Sequence, residues 1–234
     1  YAVKLQYGGQ TVTSVKAHLS IPQKPQYGQI TIAKQDAETG AEPQGDADLG
    51  GAMYEIRYQE PDGELVETIQ AGEGVLTAYS SDALPLGTYY VIERQPPKGY
   101  TLNSEAVRVD VTYEGELVEI ARKQVSIQDR VIKGKISLTK FADTTLAGTG
   151  AERKPLQGVV FGIYRKSDNA EITRVETNAM GYAQSDWLPY GRYCVREIQP
   201  LEGYGAIEDF DVEICEDQKI YYYILENHPI QSLV

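Results

Sequence analysis

Six residues able to do chemistry together recur in the same order in the two halves of the 234-residue chain: Lys34, Glu93 and Asp129, then Lys140, Glu197 and Asn227. Each stands in a short stretch that alternates apolar and polar residues with a period of two, the pattern of a β-strand with one face toward a core. Ile30 and Ile32 share the parity of Lys34, Tyr89 and Val91 that of Glu93, and Val125 and Ile127 that of Asp129. The second set repeats this, with Ile136 and Leu138 beside Lys140, Tyr193 and Val195 beside Glu197, and Tyr223 and Leu225 beside Asn227. One inward polar residue means little. Six in register across a repeat point to a shared interior site.

A charge sealed among apolar side chains is costly unless it is paired or neutralised. One reading is a buried ion pair of lysine and glutamate beside a hydrogen-bonded Asp or Asn, a satisfied polar cluster. The other is chemical. Desolvation lowers the proton affinity of a lysine and leaves a neutral, nucleophilic amine. A glutamate competing with an aspartate for one proton keeps one carboxyl protonated and electrophilic. Attack of the amine on the side-chain carbonyl of Asp129 or Asn227, with Glu93 or Glu197 carrying the proton, expels water or ammonia and leaves an amide, and proximity supplies the rate. Glu93 and Glu197 are then the catalytic groups.

The strand that places each glutamate is the most repeated part of the chain. Leu84–Tyr100 returns as Leu188–Tyr204 with ten of seventeen positions identical. Each copy reads as a turn, an alternating strand and a Pro/Gly exit. Around it the order is the same in both halves: an opening strand at Ile30–Lys34 or Ile136–Lys140, a strand at Leu49–Ile56 or Leu156–Ile163, and a closing strand ending at Asp129 or Asn227. In the first half a hairpin turns at Pro61-Asp62-Gly63, a short strand covers Gly74–Ala78, and Ala106–Tyr113 precedes a turn at Glu114-Gly115. No segment has a capped helical period. The chain is read as all-β, with domains at 29–132 and 133–234 after a remnant at 1–28 of a preceding β-domain.

The length suits two domains of about 100 residues, each with its own core. Eighteen tyrosines against three phenylalanines, with short Val/Ile/Thr runs between glycines and prolines, is a strand-and-turn composition. A net charge of −12 argues against nucleic acid or an anionic membrane as partner. No apolar run is long enough to span a bilayer. His18 and His228 lack metal-ligand spacing, no phosphate loop or Ser/His/Asp set stands out, and no cofactor or metal is expected. The loops Glu60–Glu64 and Glu208–Asp211 read as solvated. Cys194 and Cys215 both fall on the outward parity of their strands; they form a disulfide if those strands bring them together, which sequence leaves open.

The lysine-bearing opening strands, the Leu-x-Gly-x-x-(Tyr/Phe)-x-Ile strands, the Gly-x-Tyr-x-Val-x-Glu strands with their Pro-x-x-Gly-Tyr exits, and the closing Asp or Asn together resemble the Cna protein B-type domains, also called SpaA-type or prealbumin-like domains, of Gram-positive surface adhesins and sortase-assembled pilins. The resemblance covers nearly all of residues 29–227. It implies tandem immunoglobulin-like, prealbumin-like β-sandwiches with intramolecular isopeptide bonds Lys34–Asp129 and Lys140–Asn227, formed with Glu93 and Glu197 as catalysts from the opposing sheet. It further implies a structural pilin subunit or adhesin stalk outside a Gram-positive cell, anchored to the wall by a segment not in this sequence. Its partners would be neighbouring domains or pilin subunits of one fibre, with a host extracellular ligand as a further partner. Such a protein turns over no external substrate. Gln23 stands where the family has Asn or Asp at the preceding junction, so no bond is expected there. The alternative is a ligand- or carbohydrate-binding β-sandwich with purely structural polar clusters, which an exposed aromatic platform would favour. A glycosidase using paired carboxylates is a poor third, since the acids recur with a lysine between them.

Overall fold

Alternating β-branched, aromatic and polar residues build two sandwiches of the same plan, because a strand with one apolar face must bury it against a second sheet. The computed structural model describes residues 25–143, 153–228 and 230, together with the backbone of two short strands, β1 (Lys4–Tyr7) and β2 (Gln10–Thr13), paired antiparallel. Gln23 lies outside the described residues. Among them no helix occurs.

The first sandwich comprises β3 (Tyr27–Asp36), β4 (Met53–Tyr58), β5 (Leu65–Gln70), β6 (Thr77–Tyr79), β7 (Leu84–Pro85), β8 (Gly87–Gln95), β9 (Val107–Val111) and β10 (Ile120–Asp129). One sheet has the order β10-β3-β6, with β7 also on β3; the other is β5-β4-β8-β9. Its core packs Ile30, Ile32, Tyr54, Ile56, Tyr89 and Val91 between the sheets. The second sandwich repeats this with β11 (Lys133–Ala142), β12 (Val160–Arg165), β13 (Glu171–Glu176), β14 (Tyr182–Gln184), β15 (Leu188–Pro189), β16 (Gly191–Gln199), β17 (Phe210–Ile214) and β18 (Lys219–Asn227). Its sheets are β14-β11-β15, with β18 also on β11, and β13-β12-β16-β17. Ile136, Leu138, Phe161, Tyr193 and Val195 lie in its core. The chain is thus the tandem all-β sandwich expected.

Two features position the site. The opening and closing strands of each unit, β3 with β10 and β11 with β18, are parallel neighbours. The strand expected from Leu49 or Leu156 begins only at Met53 or Val160, because Gly51 and Gly158 take φ of 83° and 82° and break the extended backbone first.

Between the units runs a close joint. Asp46 of the first accepts hydrogen bonds from the Arg192 amide at 3.0 Å and the Ser167 hydroxyl at 2.8 Å, and its own amide donates to the Tyr190 carbonyl. A small apolar cluster of Leu49, Tyr100 and Val131 seals the seam against Tyr190.

Candidate intramolecular cross-linking site

In the first sandwich the parallel register sets Lys34 opposite Ile127 and Asp129 opposite Asp36. The lysine side chain therefore runs diagonally to Asp129 on the next strand, while β8 delivers Glu93 from the facing sheet. Lys34 Nζ lies 2.5 Å from Glu93 Oε1 and 2.6 Å from Asp129 Oδ1. All three side chains are buried. The lysine donates an aligned hydrogen bond to Glu93. Its contact with Asp129 is close but misaligned for one, and among the described residues neither Asp129 oxygen has a hydrogen-bond partner.

The second sandwich keeps the register, with Lys140 opposite Leu225 and Asn227 opposite Ala142. Here Glu197 bridges the other two groups. Its Oε1 accepts a hydrogen bond from Asn227 Nδ2 at 2.6 Å and its Oε2 lies 3.2 Å from Lys140 Nζ. Lys140 Nζ and Asn227 Oδ1 are buried, without aligned hydrogen-bond partners among the described residues. The six polar residues read from parity are thus brought together in two groups of three.

Burial dominates the electrostatics. It pushes the Glu93 carboxyl up to about 7, against the pull of the Lys34 cation. Burial likewise raises Asp129 above the usual carboxylate range, again opposed by Lys34. In the second site burial lowers the proton affinity of Lys140, and Glu197 only partly restores it. In the first site an acid poised near neutrality can exchange a proton with its neighbours, and in the second a desolvated amine can give up its proton and act as a neutral nucleophile.

The reaction open to the first site joins Lys34 Nζ to Asp129 Cγ, breaks the Cγ–OH bond and releases water, with Glu93 taking the ammonium proton and returning one to the leaving oxygen. In the second, Lys140 Nζ would join Asn227 Cγ as the Cγ–Nδ2 bond breaks and ammonia leaves. Glu197 already touches both the attacking and the departing nitrogen, which is what a proton shuttle requires.

Sequence reasoning missed several members of the cage. The rings of Tyr54 and Phe161 lie under the two lysines, with Nζ 6.0 Å and 5.8 Å from their centroids. Both occupy the aromatic position of the Leu-x-Gly-x-x-(Tyr/Phe) strand, which was the available signal. The backbone amides of Asn103 and Ile207 donate to the second oxygen of Glu93 and Glu197 at 3.2 Å and 3.1 Å. No side-chain pattern marks them, because any residue but proline supplies an amide. Asp36 is also buried, but its hydrogen bonds from the Glu38 and Thr39 amides, the Tyr100 hydroxyl and Gln44 outweigh burial and hold its carboxyl below the usual range. It stays ionised and ties down its own loop.

The cysteines are free: Cys194 is half-buried on β16 and Cys215 exposed just past β17. Their strands are neighbours, but the ladder sets Cys194 opposite Asp211, four residues short of Cys215. That offset is roughly 13 Å along a strand, too far for a disulfide. Among the described residues no cluster of three His, Cys, Asp or Glu could hold a metal ion.

This geometry defines a class: a two-sheet β-sandwich whose opening and closing strands are parallel neighbours that enclose a lysine, a glutamate and an Asp or Asn. A sequence model of the family described as SpaA, prealbumin-like fold domain, matches residues 28–125 and 142–228, and the chain belongs to that family. No curated protein sequence matches significantly. Among solved structures, the Bacillus anthracis TIE protein matches at 23% identity and a TM-score of 0.67, over 88% of this chain and 34% of its own. A C-terminal fragment of the pilus adhesin SpaC from Lactobacillus rhamnosus GG matches at 14% identity and a TM-score of 0.53, over 89% of this chain and 100% of its own. The present chain thus spans about a third of the TIE protein, and both likenesses establish the fold.

Proposed function

We propose that the chain is a load-bearing segment of a Gram-positive surface protein, a pilin subunit or adhesin stalk. Its two domains, 29–132 and 133–234, would each be stapled by a self-formed isopeptide bond, Lys34 to Asp129 and Lys140 to Asn227. Family membership and the likeness to a pilus adhesin fragment support the surface role. The observation that carries the bond is the packing of Lys34 Nζ at 2.6 Å from the Asp129 carboxyl without an aligned hydrogen bond, in a sealed cage with an acid on the amine. Glu93 and Glu197 act once each, in this chain alone, and no external substrate is turned over.

The bond would close nearly a whole sandwich into a loop. Chain-entropy reasoning for loops of this size gives a stabilisation of about 4 to 5 kcal/mol. Intact-mass measurement is the direct test. The folded chain is expected to be lighter than its sequence by one water and one ammonia, and Glu93→Ala and Glu197→Ala each to restore one of the losses. A well-folded wild-type chain at full sequence mass would leave only the buried ion pair.

A further inference from the structure

The closing strand β18 is an edge. It is bonded to β11 on one side, and among the described residues no backbone group of 220–226 is bonded on the other. Natural sheets guard such edges with charge, because a row of free amides and carbonyls recruits other strands. Here charge stands only at the ends, at Lys219 and at Glu226, which pairs with Arg153 at 3.0 Å; between them Tyr222 and Ile224, on the outward parity, are 70% and 66% exposed.

Beside these two side chains the outer face of the sheet is mixed in polarity. In register, Tyr222 adjoins Ser137 and Gln184, and Ile224 adjoins Thr139 and Tyr182. Ser137 is outward-facing yet fully buried, so the side chains around it close into a continuous cover. The first sandwich is an internal control. At the equivalent positions, counted back from the closing residue, β10 presents Arg122, Gln124, Ser126 and Gln128, all polar and exposed. The fold therefore does not require apolar residues on its closing edge: β18 exposes them and β10 does not.

Charge selects among occupants. A second copy of the chain would bring −12 against −12. A glycan stacks on a free aromatic face, but one face of the Trp187 ring is taken by Lys135, whose Nζ lies 4.9 Å from its centroid. The most exposed groups stand instead on the edge strand itself, where an added strand would lay its own alternate side chains beside them. We propose that β18 is a docking edge that accepts an extended peptide segment of a protein partner, neutral or basic, with apolar residues at alternate positions. The surface is independent of whether the cages cross-link.

The test pans a displayed library of random nine-residue peptides, the length of β18, against the full chain and against a Tyr222→Lys, Ile224→Lys variant. Both side chains are exposed, so the variant should keep its fold and its intact mass. Alternating apolar sequences are expected to be enriched on the wild type by about tenfold over the variant. The best of them, as a synthetic peptide, should slow amide hydrogen exchange along β18. Equal enrichment on both proteins overturns the proposal, as does protection that spares the β18 amides. So would neutral oligosaccharide binding lost in Trp187→Ala with no peptide selected, or a concentration-dependent dimer abolished by the double variant.

Discussion

Glu93 and Glu197 occupy equivalent positions yet face different partners. Glu93 shares its lysine with a second acid, and burial lifts its carboxyl to about 7. Glu197 faces an amide, and in that cage burial lowers the proton affinity of the Lys140 amine. A Lys34→Met chain, which cannot form the first bond, isolates the acids. In an unfolded chain Glu93 would titrate near the ordinary value of about 4.3, so the fold favours its protonated form. That stability is complete at acidic pH, below the unfolded value, and drains as pH rises through about 7. Removing the cation deletes the main influence holding both acids down, so the slope keeps this sign. The first unfolding transition of Lys34→Met in urea is expected to fall between pH 5 and pH 8, by roughly 3 kcal/mol. A midpoint that is flat or rises over this range would show that the cage admits water.

The strands carrying the chemistry were the legible elements, because alternation fixes which side chains share a face and the repeat checks the reading twice. Where β4 and β12 begin was less legible: Leu49 and Leu156 continue the apolar pattern into residues whose backbone is not extended. Gly51 and Gly158 make that break. A Cβ on Gly51 would meet nothing within 4 Å, so Gly51→Ala costs only the left-handed backbone, about 1 to 2 kcal/mol. Thermal unfolding of Gly51→Ala in a Glu93→Ala background should report that loss. The single variant should still lack one water and one ammonia by mass, because the cage itself is untouched. The cysteine question needed register, which sequence does not contain. The Asn103 and Ile207 amides and the Asp46 joint needed tertiary contacts between loops that no periodic pattern encodes.

Across the whole molecule the proposed bonds redraw the path of force. Tension entering at Tyr27 runs along β3 to Lys34, crosses to Asp129, passes through the short link at Arg130–Ile132, follows β11 to Lys140 and crosses again to Asn227. Everything between each lysine and its partner lies off that path. The parallel pairing of first and last strands makes this possible, since it sets both partners at the same end of their ladder. Without the bonds the same geometry would be sheared strand from strand, and each sandwich would then pay out its length. Single-molecule pulling of the wild type is therefore expected to show no unfolding step from either domain. Glu93→Ala should add one step that releases the 96 residues from Lys34 to Asp129, about 320 Å of contour before the folded length is subtracted. Glu197→Ala should add one that releases the 88 residues from Lys140 to Asn227, about 290 Å. Two such steps in the wild-type chain would mean that the hydrogen-bond ladders, and not covalent bonds, carry the load.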